Sequence, residues 1–116
     1  GNVYLLDSGN IDASLNYSAH GEMLSYLKSR VYRQGNSVAW TKMMFSHNTN
    51  NQWFILDLYV DDTLIASRPF KSISRTKGIF TFGPVTGNDF QFVISGYRTL
   101  PIEIYFPMRI YHSVVK

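Results

Sequence analysis

The chain has 116 residues, of which 45% are hydrophobic, 16% aromatic and only 16% charged. Its length predicts one domain over residues 1–116, because domains of about 100–150 residues can bury a real core. The net charge of +3 is too weak to indicate a nucleic-acid partner. Zero cysteines exclude disulfides and thiolate metal sites, and no apolar run approaches the roughly 20 residues of a membrane-spanning helix.

Strand-type segments begin near the N-terminus. Residues 3–6 are a short apolar run that ends at a cluster of turn residues, 7–10. Apolar and polar residues then alternate over residues 11–17. That alternation predicts a half-buried strand.

Residues 22–33 fit two patterns. Leu24, Leu27 and Val31 match one face of a helix, whereas the alternation along the same segment matches a strand. The strand is favoured because residues 34–36, Gln-Gly-Asn, are a short turn signal that leads into the β-rich residues 38–45. Two extended segments joined by that turn would form a long hairpin.

The rest of the chain continues as strands separated by turn residues. Residues 46–52 form a wholly polar loop, and residues 53–60 are apolar on both faces, as in a central strand. Asp61 and Asp62 then give the tightest hairpin signal in the chain. Pro107 requires an edge position or a bulge in the last strand. The later predicted strands cover residues 63–67, 79–82, 89–95 and 101–115.

The count of about eight to ten strands, with no repeat period, predicts an all-β fold, an antiparallel jelly-roll sandwich.

Candidate catalytic groups are few. Asp61 and Asp62 are adjacent carboxylates, but neighbours on a strand point to opposite faces and suit a hairpin turn better. Glu103 has no acidic neighbour in sequence. The nucleophile motif Gly-x-Ser-x-Gly and the phosphate-binding loop are both missing. The sequence therefore predicts a non-enzymatic protein with no cofactor.

His20, His47 and His112 are too far apart in sequence for a local metal motif. They are predicted to be loop and edge residues without a ligand. A metal on a threefold axis, bound by one histidine from each subunit, is the alternative.

Basic and aromatic residues interleave between residues 26 and 42. On a strand, Lys28, Arg30 and Tyr32 would share one face, where charge-assisted hydrogen bonds and ring stacking can hold an anionic group. A solvated outer sheet face is the competing interpretation. The residues predicted to bind an anionic ligand are Arg30, Tyr32, Arg33 and Lys42.

The apolar group at Trp40, Met43, Met44 and Phe45 is hard to bury on one sheet face, because adjacent residues point opposite ways. Either both faces are covered, or one is buried against another subunit. Aromatic residues and Met are enriched at interfaces. The predicted subunit contacts are Trp40, Met44 and Phe106.

The sequence resembles the C-terminal knob or tip domains of bacteriophage tail needles and tail fibres, which have a jelly roll similar to that of tumour necrosis factor. The segments that carry the resemblance are residues 21–26, 38–45 and 104–111, together with an apolar, cysteine-free composition. The start at Gly1 fits a domain excised from the C-terminus of a longer fibre or needle protein.

This resemblance implies a homotrimer at the virion tail tip, outside the cell. Its role would be recognition of a host cell-surface glycan, lipopolysaccharide or protein, or penetration of the envelope during genome delivery. A small anionic ligand would then bind between subunits.

Two alternatives share the sandwich. A monomeric carbohydrate-binding module or adhesin domain would use an exposed aromatic platform at Trp53 or Tyr97. An accessory domain of a glycan-degrading enzyme would have its catalytic carboxylates elsewhere in the parent chain.

Overall fold

The computed structural model describes residues 2–6, 11–17 and 23–114, with side chains from residue 27 onward. Every strand pairing within these residues is antiparallel, and no helix among them could cross a membrane. The predicted all-β fold is confirmed. The strands are β1 (Asn2–Leu6), β2 (Ile11–Tyr17), β3 (Met23–Ser29), β4 (Tyr32–Asn48), β5 (Phe54–Val60), β6 (Thr63–Phe70), β7 (Thr76–Arg98) and β8 (Glu103–Val114).

Strand β7 belongs to both layers of the sandwich. Residues 76–90 pair with β4, whereas residues 90–98 pair with β3 or β5, so that Phe90 contacts both β4 and β5. The first layer therefore has the order β1-β8-β4-β7, and the second has the order β2-β3-β7-β5-β6. This arrangement confirms the predicted antiparallel sandwich.

Aromatic side chains fill the space between the layers. Trp40 is fully buried and stacks on Phe90, with 5.0 Å between ring centroids. Phe45 of the first layer meets Phe70 of the second edge-on at 5.7 Å. Full burial of one Phe side chain contributes about 1.5–3 kcal/mol. Trp40, Met43 and Phe45 are all core residues of this chain, so the sandwich itself buries three of the four residues of that apolar group.

The interpretation of residues 22–33 as extended chain is confirmed for residues 23–29, which form β3. The predicted long hairpin is wrong. β3 pairs with β2 and β7, while β4 runs on without a turn from Tyr32 to Asn48. The Gln-Gly-Asn signal lies inside β4, where the register shifts between Arg33 and Val38 and Gly35 adopts a φ of 77°. A bulge can use the same residue types as a turn.

Two local predictions are confirmed. Asp61 and Asp62 join β5 to β6, and both have the positive φ of a tight hairpin turn, 49° and 63°. Pro107 lies beside a shift in register between β8 and β4, at Met44–Ser46, and just beyond the end of the pairing with β1. Proline is tolerated there because it has no amide hydrogen to donate to a neighbouring strand.

His47 and His112 are buried strand residues, so their predicted placement in loops and at edges is wrong. The His47 ring lies 4.7 Å from the Phe70 ring, and its Nδ1 is 2.8 Å from the Ser72 hydroxyl. Burial lowers the pKa of both imidazoles. No three metal-ligating side chains come together in the described part of the chain, and His20 lies outside it.

These buried imidazoles predict a loss of stability in mild acid. The folded protein keeps them neutral, whereas the unfolded chain takes up protons near the ordinary histidine pKa of about 6.5. The free energy of unfolding should therefore have its full value above about pH 7 and decrease as the pH drops below about 6.5. Urea denaturation at about pH 7.5 and about pH 5.5 measures the difference.

The His47→Gln variant keeps a group that can hydrogen-bond to Ser72, and its stability should vary less over the same pH range. Equal pH dependence in this variant and the native chain would show that His47 does not contribute.

Candidate functional site

An open groove on the outer face of the second layer is lined by two exposed aromatic rings. Trp53 directly precedes β5, and Tyr97 lies near the end of β7. Because Ile55 pairs with Ser95 and side chains return to the same face every two residues, all four share one surface. The side chains of Trp53 and Tyr97 are 61% and 59% exposed. The groove has a volume of about 520 Å³.

The groove combines apolar surface with neutral polar groups. Ile55, which is 45% exposed, lines the same groove as the two rings. Gln52, Ser95 and Thr99 also line the groove, and Ser95 and Thr99 offer hydroxyl groups. None of the described residues that line it is acidic, basic or histidine. This surface suits a neutral ligand that has both apolar faces and hydroxyl groups.

Lys71 orients the indole of Trp53. Its Nζ lies 4.8 Å from the centre of the indole ring. A cation over an exposed indole contributes about 0.5–1 kcal/mol. The contact holds the ring in place while leaving most of the Trp53 side chain accessible.

Gln52 joins the two loops that flank the groove. Its Nε2 donates to the carbonyl oxygens of Thr49 (3.0 Å) and Leu100 (3.1 Å), and its Oε1 accepts from the amide of Thr99 (2.7 Å). Asn50 adds a further bond from its side-chain amide to the carbonyl of Pro101. The 49–53 and 99–101 loops are thereby tied together. Sequence reasoning missed Gln52, because residues 46–52 had no feature beyond their polarity.

The four residues predicted to bind an anionic ligand do not form one site. Arg30, Tyr32 and Arg33 lie around the start of β4, whereas Lys42 lies nine positions further along it, beyond the bulge. The predicted common face of Lys28, Arg30 and Tyr32 is wrong, because β3 ends at Ser29 and a new strand begins at Tyr32.

Each of these residues has a defined environment. Tyr32 is only 3% exposed, and the Arg30 guanidinium lies 4.7 Å over its ring, so that ring offers almost no surface to a ligand. Arg33 forms an ion pair with Asp89 at 3.3 Å. Lys42 Nζ lies 4.7 Å over the ring of Tyr111. Ligand binding by Arg30, Arg33 and Lys42 stays a prediction.

The three residues predicted to form subunit contacts lie in different places, one in the core and two on the outer face of the first layer. Trp40 has no exposed surface, because its indole lies in the core and donates a 3.1 Å hydrogen bond to the carbonyl of Gly87. Its predicted role in subunit contact is corrected to a core role. Met44 is half-buried and Phe106 is 37% exposed on the outer face of the first layer. Their role in a trimer stays a prediction.

Comparison with solved structures relates the fold to carbohydrate-binding modules. The C-terminal family 6 carbohydrate-binding module of a marine laminarinase from Zobellia galactanivorans aligns with 94% of this chain and 98% of its own, at a TM-score of 0.53 and 11% identity. A family 35 carbohydrate-binding module from Paenibacillus barcinonensis aligns with 99% of this chain and 100% of its own, at a TM-score of 0.51 and 15% identity. A family two carbohydrate esterase from Cellvibrio japonicus aligns over 97% of this chain but 33% of its own, with a TM-score of 0.51 and 8% identity.

No family model and no curated protein sequence matches the chain. At these low identities the structural likeness shows the fold alone. It contradicts the resemblance to bacteriophage tail knobs, because the similar folds are carbohydrate-binding modules and a domain-sized part of an esterase. The tail-tip interpretation is therefore wrong.

The Gln52 bonds predict that Gln52→Glu loosens both loops. A carboxylate cannot donate to the carbonyls of Thr49 and Leu100, so two acceptors lose their partner. A loss of about 1–3 kcal/mol in the free energy of unfolding is expected. Amide hydrogen exchange at Thr99 and Leu100 should also become faster.

Gln34→Glu is the matched control, because it makes the same chemical change in the β4 bulge, away from the groove. Equal stability and equal exchange at Thr99 in the two variants would contradict the role of Gln52.

Proposed function

We propose that this chain is a non-catalytic carbohydrate-binding module that holds a neutral glycan in the groove between Trp53 and Tyr97. The observation that carries the proposal is the pairing of two highly exposed aromatic rings on one face, beside neutral hydrogen-bonding groups. The likeness of the fold to modules of families 6 and 35 supports it.

The chemistry of the groove fits a sugar chain. A sugar ring has flat patches of C–H groups that can stack on the electron-rich face of an aromatic ring. Its hydroxyl groups need donors and acceptors, which the Ser95 and Thr99 hydroxyls can supply. Ligand sites commonly combine a largely apolar lining with a few placed polar groups, over about 300–1,000 Å³.

Binding rather than hydrolysis is proposed because of the groove's residues. Most glycoside hydrolases place two carboxylates on either side of the bond that breaks. The described residues that line the groove include no carboxylate. A bound glycan would therefore be held without being cleaved at this site.

A role as accessory domain of a glycan-degrading enzyme is the second candidate. One observation favours it: a fold of this kind makes up about a third of the carbohydrate esterase from Cellvibrio japonicus. In such an arrangement the module would keep its enzyme close to the substrate and raise the local concentration of each for the other.

Alanine substitution of either ring tests the groove. Trp53→Ala and Tyr97→Ala should each weaken binding to a soluble neutral polysaccharide at least about tenfold, which corresponds to about 1.4 kcal/mol. Both rings are exposed, so the thermal midpoint should change little. Affinity electrophoresis in gels containing a β-1,3-glucan, a β-1,4-glucan, a mannan or a xylan gives the comparison.

Leu64→Ala is the matched control, since Leu64 is 51% exposed on β6 and lies outside the groove. The proposal fails if the native chain binds none of the four polysaccharides, or if Leu64→Ala weakens binding as much as Trp53→Ala.

A further inference from the structure

The outer face of the first layer has a different chemistry from the Trp53–Tyr97 groove. Met43, Phe45 and His47 point into the core, so the alternate β4 residues, Lys42, Met44 and Ser46, face outward. Strands β7 and β8 flank β4 and add their own outward residues in register. The cross-strand rows are Thr81–Lys42–Tyr111, Ile79–Met44–Arg109 and Lys77–Ser46–Tyr105.

These rows form a basic groove, which we define by Met44, Ser46, Arg75, Lys77, Tyr105 and Arg109. Arg75, Lys77 and Arg109 are exposed, and no described residue that lines the groove is acidic. The groove has a volume of about 410 Å³. Its positive charge is therefore concentrated on a surface that also has aromatic rings.

Two cations lie over tyrosine rings. The Arg75 guanidinium is 4.1 Å from the centre of the Tyr105 ring, and Lys42 Nζ is 4.7 Å from that of Tyr111. The Tyr105 hydroxyl donates a 2.9 Å hydrogen bond to Glu103, which raises the pKa of the phenol. A ring orients a cation without neutralising it, since the ring has no net charge.

Among the described residues, none of the four cations of this face forms an ion pair, and the acidic group beside the groove, Glu103, is hydrogen-bonded to Tyr105. The ion pair found in the described part of the chain joins Arg33 to Asp89, and it involves none of Lys42, Arg75, Lys77 or Arg109. Charge-assisted hydrogen bonds from Arg and Lys to a carboxylate or sulfate are about twice as strong as neutral ones. An anionic ligand would therefore gain contacts that a neutral ligand could not.

The charges are spread along the strands. From Lys42 to Ser46 the rows cover four residues, or roughly 14 Å at about 3.4 Å per residue. A single small anion cannot reach all of them, whereas a polymer with repeated charges can. The tyrosine rings beside the cations add surfaces on which sugar rings can stack.

We propose that the basic groove is a second binding site, specific for an acidic polysaccharide that carries carboxylate or sulfate groups. The proposal rests on the proposed function in taking the ligand to be a glycan. The two sites lie on opposite outer faces of the sandwich, because the Trp53–Tyr97 groove is on the second layer. Neutral and acidic glycans are therefore bound independently.

The test uses three polysaccharide probes. Dextran sulfate and dextran have the same backbone and differ in charge, and polygalacturonate is a polymer that carries carboxylates. The native chain should be retarded by dextran sulfate or polygalacturonate in affinity electrophoresis, and not by dextran. Retardation should fall at least about tenfold between about 50 mM and about 500 mM NaCl, because salt screens exposed charges. Retardation by polygalacturonate alone identifies the carboxylate as the group that is bound. Retardation by dextran sulfate alone identifies the sulfate.

The double variant Lys77→Gln/Arg109→Gln should weaken binding to the acidic polymer at least about tenfold, or about 1.4 kcal/mol. Lys28→Gln/Arg98→Gln removes the same charge from the second layer and should change the affinity by less than about twofold. Arg75→Gln gives a second, single-residue test. Thermal midpoints measured by circular dichroism check that each variant is folded.

Failure of this proposal is distinguishable from failure of the first. Trp53→Ala should leave acidic-polymer binding unchanged, and Lys77→Gln/Arg109→Gln should leave neutral-glycan binding unchanged. The basic groove is overturned if the native chain binds neither acidic polymer, if both double variants lose affinity equally, or if single-stranded DNA or anionic lipid vesicles bind more tightly than either polymer.

Discussion

The rest of the structure depends on the passage of β7 from one layer to the other. One continuous segment, Thr76–Arg98, hydrogen-bonds to β4 in its first part and to β3 and β5 in its second. The crossing lies near Gly87, whose carbonyl accepts the Trp40 indole N–H. A side chain at Gly87 would place its Cβ 2.3 Å from Val60 and 2.7 Å from the Asp61 carboxylate. Any side chain at Gly87 would therefore force the Val60 and Asp61 side chains to move.

This crossing fixes the two layers relative to each other and so positions both outer faces. Trp40 of the first layer stacks on Phe90 just after the crossing, and Phe45 meets Phe70 across the core. The inward residues are similarly apolar in both layers. The outward residues differ: neutral and aromatic around Trp53, basic and aromatic around Arg109. The sandwich can thus present two chemically distinct surfaces on one core.

Local sequence signals predicted where the strands lie better than they predicted which strands pair with each other. The hairpin at Asp61–Asp62 was predictable because both strands and the turn lie within about 17 residues. The partners of β3 were not, because its pairing with β7 joins residues about 70 positions apart, and turn residues at 34–36 also suit a bulge. The error at β3 carried into the site, since it placed Lys28 and Tyr32 on one surface.

The candidate site was partly accessible from sequence. Trp53 and Tyr97 were each a possible aromatic platform, but their common face depends on the pairing of β5 with β7. The likeness to tail knobs failed because it rested on composition and aromatic-rich strands, which many β-sandwiches share. Burial of Trp40 and Tyr32 could not be predicted either, because it depends on which residues the opposite layer supplies.

The two tryptophans of the chain provide the most direct test of glycan binding at the Trp53–Tyr97 groove. The Trp40 indole N–H is buried and bonded to Gly87, whereas the Trp53 side chain is largely exposed. Titration with an oligosaccharide of the neutral glycan, followed by ¹⁵N–¹H correlation spectra, should shift the Trp53 indole signal and leave that of Trp40 unchanged. Saturating binding with no change at Trp53, or with a change at Trp40 alone, would contradict the assignment of the groove.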